Sequence, residues 1–111
     1  MGKSQRTKGH SYERFTAQKM REIGYPEARR HLEYQDGEAN GIDIANTGQF
    51  AVQCKAMKNQ PNLPKVFGEL KNKEDEIPVV VFKVDRKGEY ACFKLEDALM
   101  LMQAFKQTFK E

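Results

Sequence analysis

Two short runs of alternating apolar and polar residues flank a turn in the middle of the chain, within GIDIANTGQFAVQCK (residues 41–55). The segment Asn46–Gly48 between them consists of turn formers, so the pattern predicts a β-hairpin. Side chains on a strand alternate between its two faces. With a three-residue loop and Gly48 in the left-handed conformation, Ile44 faces Phe50 and the apolar faces of the two strands coincide. This face is expected to join the core.

The opposite face of the hairpin is polar. It carries Asp43 on the first strand and Gln53 and Lys55 on the second. In the predicted register Asp43 faces Ala51 and lies diagonally beside Gln53, within side-chain reach. This gathering of a carboxylate, an amide and a lysine is the candidate active site. Polar residues on the solvent face of a strand are the alternative interpretation.

Periodicity elsewhere in the chain predicts helices and strands on both sides of the hairpin. Gly24 is a suitable terminator for a first helix, and Pro78 begins a continuous apolar strand suited to burial on both faces. The predicted elements are a helix over 9–24, strands over 29–35, 41–45 and 49–55, a helix over 63–70, strands over 78–84 and 89–94, and a helix over 95–109. The expected fold class is α/β: a mixed five-stranded sheet flanked by helices, in the order αβββαββα.

The final helix carries an unusually broad apolar side. Met100 and Leu101 widen it beyond what a monomer needs, so two interpretations stay open: part of it packs against another subunit, or all of it is a broad core stripe. The residues on this side are Leu95, Ala98, Leu99, Met102, Phe105 and Phe109.

Length and charge bound the organisation of the chain. Its 111 residues suit one domain. Residues 1–8 lack periodicity and are predicted to be a flexible basic arm, followed by a single domain over 9–111. The formal net charge is +3, but residues 1–30 hold eight Lys or Arg against three Glu. A basic first third indicates a polyanion partner, with a solvated charged surface as the alternative.

The two cysteines and the lengths of the apolar runs bear on where in the cell the protein is expected to be. Cys54 and Cys92 both lie in apolar strand-like runs and are expected to be free thiols in a reducing environment. The N-terminus is polar and basic, unlike a signal peptide, and no apolar run approaches the ~18 residues of a membrane span. The sequence therefore predicts a soluble protein of the cytoplasm, or of the host cytoplasm if the source is viral.

The polar face of the hairpin suits metal-assisted phosphodiester hydrolysis, which uses a divalent cation and positive charge near the phosphate. Mg²⁺ prefers oxygen ligands, and the Asp43 carboxylate and the Gln53 amide can supply them. Lys55, on the same face, can orient or deprotonate a water or hold the phosphate. The adjacent Arg29 and Arg30 are candidates for phosphate contacts.

A resemblance to a known family joins these residues to the start of the chain. The KGHSYER stretch of residues 8–14 resembles the KGxxxER opening of the archaeal-type Holliday-junction resolvases. The two motifs at 42–43 (ID) and 53–55 (QCK) resemble the active-site pattern of the PD-(D/E)xK nuclease superfamily. Together with the first motif, the resemblance covers roughly residues 8–85. It implies a restriction-endonuclease-like αβββαβ core in which Glu13 reaches the active site from the first helix.

The chain departs from the family pattern at two positions. Ile42 stands where proline is common, and Gln53 stands where Glu or Asp is usual. The amide still offers a carbonyl ligand, but the site has one negative charge fewer and is expected to bind the metal more weakly. Glu33 and Glu38, near the entrance to the hairpin, are candidates to compensate.

The resemblance implies a Mg²⁺-dependent, structure-selective DNA endonuclease, with Mn²⁺ as a substitute, that resolves four-way (Holliday) junctions in DNA recombination and repair. It would act as a homodimer and make paired symmetric nicks. Glu13, Asp43 and Gln53 are the expected metal ligands, and Lys55 completes the catalytic set. The alternatives are another nuclease of the superfamily, of restriction or repair-nicking type, and a catalytically inactive module that binds DNA junctions. The expected DNA-binding residues are Lys3, Arg6, Lys8, Arg14, Arg29, Arg30 and Lys58.

Overall fold

The structure is a computed structural model that describes residues 2–32 and 40–109, with side chains from residue 7 onward. Three helices and five strands follow one another in these ranges in the order αβββαββα. The helices are α1 (Gly2–Glu22), α2 (Leu63–Glu69) and α3 (Leu95–Phe109). The strands are β1 (Arg29–Arg30), β2 (Ile44–Ala45), β3 (Phe50–Met57), β4 (Ile77–Val84) and β5 (Gly88–Phe93).

The five strands form one mixed sheet in the order β1-β2-β3-β4-β5. β3 and β4 run parallel, and the other neighbouring pairs are antiparallel. Parallel neighbours need a crossover connection, which α2 provides between β3 and β4. The predicted fold class, α/β with element order αβββαββα, is confirmed.

Each face of the sheet has its own apolar cluster. On the face covered by α1, Tyr12 of the helix shares a cluster with Val52 and Cys54 of β3. On the other face, Val66 of α2 shares a cluster with Val80 of β4. The alternation of side chains along β4 therefore divides this strand between the two clusters, with Val79 in the first and Val80 in the second.

Helix α1 is longer than the sequence pattern predicted. It begins at Gly2, so the predicted start near Gly9 was wrong and the segment predicted as an arm is helical over residues 2–8. The Lys8 ammonium donates to the Asp85 carboxylate at 2.7 Å, which ties this part of α1 to the turn after β4. A polar stretch can be helical when it extends a helix that is packed elsewhere, and apolar periodicity does not reveal such an extension. At the other end the helix stops before Gly24, whose φ is +119°, as predicted.

The β2–β3 hairpin has the predicted faces but a different register. Ile44 pairs with Val52, so the predicted pairing with Phe50 was wrong. The loop is longer than three residues because the Phe50 N–H donates to the Thr47 carbonyl (3.2 Å) and closes a turn before β3 begins. Gly48 has the predicted left-handed conformation, with φ +63°. The register is displaced by an even number of residues, so the division into apolar and polar faces is unchanged.

The first two strands are shorter than predicted. β1 covers only Arg29–Arg30 of the predicted 29–35, and β2 covers only Ile44–Ala45. Residues 31 and 32 are not in a strand, and residues 33–39, which include the end of the predicted β1 and most of the turn-rich loop, lie outside the described part of the chain. The short β2 leaves the middle of β3 without a full strand partner on that side.

The chain makes a close contact just before the hairpin, and this contact depends on Gly41. The φ of Gly41 is +81°, and a Cβ added there would lie 2.8 Å from the Glu69 carbonyl oxygen and 2.9 Å from Leu70 Cα. Beside it, the Lys71 N–H donates to the Asn40 carbonyl at 2.7 Å. These contacts fix the entry to the hairpin against the end of α2.

Replacing Gly41 with alanine is expected to lower the free energy of unfolding by about 2 kcal/mol, because a Cβ at positive φ is strained and meets backbone atoms. Urea unfolding followed by circular dichroism measures this change. Gly68→Ala is the matched control: its φ is not positive and no atom lies within 4 Å of the added Cβ. We expect Gly68→Ala to be neutral or stabilising by up to about 1 kcal/mol. Equal stability of the two variants would contradict the role given to Gly41.

The apolar side of α3 is exposed. No described residue of this helix is buried, and the exposed fractions of Leu95, Met102 and Phe109 are 73%, 65% and 63%. The interpretation of this side as a broad core stripe is therefore wrong. In residues 2–32 and 40–109, no helix combines the length and the apolar character that crossing a membrane requires.

Candidate active site

Asp43 lies immediately before β2 and is fixed by three hydrogen bonds. Its N–H donates to the Val52 carbonyl (2.8 Å), and its carbonyl accepts from the His31 N–H (2.8 Å). Its carboxylate Oδ2 accepts from the Cys54 N–H at 2.8 Å. Because β2 is only two residues long, the Cys54 N–H of β3 has no main-chain acceptor in β2 and donates to the Asp43 carboxylate instead. The side chain is thereby held against the middle of β3.

The pKa of Asp43 is raised to about 6. The largest cause is burial, which disfavours the charged form, and the negative charge of Glu13 acts in the same direction. The hydrogen bond from the Cys54 N–H and the positive charges of Lys55 and His31 oppose the rise. The carboxylate is therefore ionised at neutral pH against a cost, which a bound cation would offset.

Glu13 approaches Asp43 from α1. Its carboxylate Oε1 accepts from Arg30 Nε at 3.0 Å, and both side chains are largely shielded from solvent, with exposed fractions of 18% for Glu13 and 23% for Arg30. The ion pair fixes the rotamer of Glu13, and the effect of Glu13 on the pKa of Asp43 places the two carboxylates near one another. The predicted contribution of the first helix to the site is consistent with this position.

Gln53 lies on β3 next to the amide that binds Asp43. Its side chain is only 6% exposed, and its Oε1 atom is buried without a hydrogen-bond partner. A buried carbonyl oxygen without a partner costs free energy. It is also an available oxygen ligand of the kind that hard cations prefer.

Lys55 follows Gln53 by two residues and shares its face of the sheet. In the parallel register Gln53 pairs with Val80 and Lys55 pairs with Phe82, so both project toward the side covered by α2. Lys55 is half-buried. Its charge favours the ionised form of Asp43, so the Lys55 ammonium group acts on this carboxylate.

His31 is a neighbour of the site that the sequence pattern did not predict as a site residue. Its main chain binds that of Asp43, and its side chain is near enough to influence the Asp43 carboxylate. The signal that could have identified it is its position directly after Arg29–Arg30, which pairs with β2. The same pairing brings Arg30 to Glu13.

The predicted DNA-binding residues do not share one surface. Arg14, Arg29 and Arg30 line a cleft of about 680 Å³ between α1 and β1, together with Arg21. Lys58 lines a separate groove of about 550 Å³ over β4 and β5. Lys8 is paired with Asp85 and lines neither of these two surfaces. The side chains of Lys3 and Arg6 lie outside those that the structure describes.

The donor set fits a hard cation only in part. Within residues 7–32 and 40–109, no three His, Cys, Asp or Glu side chains form a group that could hold a metal ion. Burial raises the pKa of Cys54 to about 12, so this free thiol stays protonated and is not a ligand at neutral pH. The oxygens of Asp43, Glu13 and Gln53 are of the kind that a hard cation binds while it keeps several waters, but Glu13 comes from the helix on one face of the sheet and Gln53 projects toward the other. Glu33 and Glu38, the candidates to compensate, lie outside the described residues.

By its fold the chain is an α/β protein with a mixed sheet, and by its site it carries two acidic side chains, an amide and a lysine around one short hairpin. Comparisons with known proteins found no match among protein-family models, curated proteins or solved structures. A function for this chain therefore rests on the chemistry of these residues.

Proposed function

We propose that this protein is a Mg²⁺-dependent, structure-selective DNA endonuclease of the PD-(D/E)xK type that acts on four-way junctions as a homodimer in the cytoplasm. The observation that carries the proposal is the environment of Asp43. This carboxylate is half-buried, has a pKa of about 6, and feels the charges of both a second carboxylate, Glu13, and the ammonium group of Lys55. Carboxylates whose pKa is raised in this way, so that ionisation costs free energy when no cation is bound, are typical of functional sites.

The residues of the site would divide the work as follows. Glu13, Asp43 and Gln53 would hold the cation, which would supply Lewis acidity and a water of lowered pKa. Lys55 would stabilise the negative charge that develops on the phosphate, because a half-buried ammonium acts more strongly than a solvated one. Arg30 would keep Glu13 oriented through their 3.0 Å hydrogen bond.

The arginine-lined cleft supports a nucleic-acid substrate. Arg14, Arg29 and Arg30 line it together, and Arg30 also binds Glu13 of the site. A duplex whose phosphates lie along this cleft would therefore be close to the carboxylates. Phosphate contacts of this kind position DNA without reading its sequence, which suits an enzyme that selects branched structure. Two symmetric nicks in a four-way junction require two sites, and a two-fold dimer supplies them.

A junction and a linear duplex that share the same arm sequences would test the substrate. With Mg²⁺, the proposed function gives nicks in the junction and little or no cleavage of the duplex. Equal cleavage of both would favour another nuclease of the superfamily, of restriction or repair-nicking type.

A catalytically inactive junction-binding module is the second candidate. One observation favours it: the position that carries a carboxylate in the superfamily pattern holds the neutral Gln53, and no three His, Cys, Asp or Glu side chains among the described residues form a group that could hold a metal ion. This candidate gives junction binding that is independent of Mg²⁺ and no cleavage with Mg²⁺ or Mn²⁺. Salt dependence does not separate the candidates, because phosphate contacts dominate binding in each.

A further inference from the structure

Helix α3 presents a row of large apolar side chains to solvent. We define the C-terminal stripe as Leu95, Leu99, Met102, Phe105 and Phe109, whose exposed fractions lie between 53% and 73%. They recur at helical spacing and so share one side of α3. No other described helix or strand packs extensively against this helix. A helix of 15 residues without packing is marginal in water, so α3 needs a partner surface.

The arrangement of residues along the stripe makes it complementary to itself when reversed. Met102 lies at its centre, Leu99 and Phe105 lie three residues to either side, and Leu95 and Phe109 lie seven residues to either side. Two copies related by a two-fold axis through Met102 would therefore place Leu95 against Phe109 at both ends. An isologous interface requires such self-complementarity.

The charges of α3 favour the same orientation. Acidic residues, Glu96 and Asp97, lie in the first turn, and the basic Lys106 lies in the last turn. An antiparallel pair puts the acidic turn of one copy at the same end as the basic turn of the other. A parallel pair would bring like charges together, and the helix dipoles would also oppose it.

The area of the stripe is sufficient for a dimer. At these exposures the five side chains offer roughly 100 Å² each, so two copies would bury about 1,000 Å² from the stripes alone, which is near the threshold for a specific interface. We propose that α3 of one copy packs antiparallel against α3 of a second copy, with Met102 at the two-fold axis. This pairing would supply the dimer that the proposed function requires. Only the biological role of the dimer rests on the proposed function.

Molar mass in solution tests the pairing without reference to cleavage. At micromolar concentrations the wild-type protein is expected to have twice the monomer mass of 12.8 kDa. Met102→Glu should be a monomer, because two carboxylates would meet at the axis. Met100→Glu is the matched control: Met100 is 45% exposed on another side of the same helix, and this variant should remain a dimer. A monomeric wild type, or a dimeric Met102→Glu, would overturn the proposal.

Disulfide crosslinking tests the orientation. The double variant Leu95→Cys, Phe109→Cys should form a covalent dimer on mild oxidation, whereas Leu95→Cys alone should not. Crosslinking by the single variant would show parallel helices and overturn the antiparallel arrangement. If the mass and crosslinking results hold while junction cleavage is absent, the interface stands and the proposed nuclease function fails.

Discussion

Replacing Asp43 with asparagine is expected to reduce junction cleavage by more than about 100-fold, because the variant loses a carboxylate that holds the cation. The same change is expected to raise the free energy of unfolding at pH 8, in the absence of divalent cations, by about 2 kcal/mol. The asparagine carbonyl can still accept the hydrogen bond from the Cys54 N–H, which is 2.8 Å long in the native protein. The variant should therefore fold and be the more stable protein.

The pH dependence follows from the raised pKa of Asp43. The folded-state pKa of about 6 lies above the ordinary value of 3.8, so the folded protein binds this proton more tightly than the unfolded chain does. The contribution of Asp43 to stability is thus most favourable below about pH 4 and is lost as the pH rises through 6. The stability difference between Asp43→Asn and the wild type should be near zero at low pH and reach its full size above pH 7.

Urea-unfolding curves in EDTA at several pH values measure this difference. Asp85→Asn is a control of opposite sign, because the hydrogen bond from Lys8 lowers the pKa of Asp85. Loss of the Asp85 carboxylate should destabilise the protein by a small amount at pH 8 and have less effect in acid. An Asp43→Asn variant that is less stable than the wild type at pH 8, or that cleaves junctions at the wild-type rate, would contradict the account of the site.

Substitution of Gln53 has the second largest expected effect. Gln53→Met and Gln53→Glu should change the stability of the metal-free protein in opposite directions. Gln53→Met removes the buried oxygen that has no partner and keeps a similar shape, so the metal-free protein should gain about 1 kcal/mol of stability. The same variant should lose cleavage, because an oxygen ligand is gone. Gln53→Glu adds a third carboxylate beside Asp43 and Glu13, so the metal-free protein should be less stable and bind Mg²⁺ at least ~10-fold more tightly.

Isothermal titration with Mg²⁺, read beside unfolding curves with and without the cation, measures both effects of Gln53. Wild-type cleavage by Gln53→Met would remove this residue from the site. Unchanged Mg²⁺ affinity in Gln53→Glu would show that position 53 does not contact the cation.

Local pattern was sufficient to predict most of the fold. The alternation around Asn46–Gly48 located the hairpin, and the apolar spacing from Leu63 located α2 within one residue of its observed end. The failures lie where long-range contacts decide. The first residues of α1 are helical because they extend a later part of the same helix that packs against the sheet. The hairpin register is set by a turn that closes at Phe50.

The candidate site was less fully predictable. Strand parity predicts that Asp43, Gln53 and Lys55 share one side of the hairpin, and in the structure Gln53 and Lys55 lie on the same face of β3. Parity could not predict that the Asp43 carboxylate replaces a missing strand partner of Cys54, because the length of β2 is a tertiary property. The approach of His31 likewise depends on strand pairing.

The exposure of α3 could not be decided from periodicity, because a buried stripe and an interface stripe have the same spacing. Only the exposure of the helix and the lack of extensive packing by other described elements distinguish the two. The same holds for the ion pair between Arg30 and Glu13, which joins residues of separate elements.

The most direct measurement of the central claim uses the wild-type protein and a four-way junction labelled on each strand in turn. With Mg²⁺, the account predicts nicks at symmetry-related positions on one opposed pair of strands and none in EDTA. Failure to nick any strand with either Mg²⁺ or Mn²⁺, while the junction is bound, would contradict it.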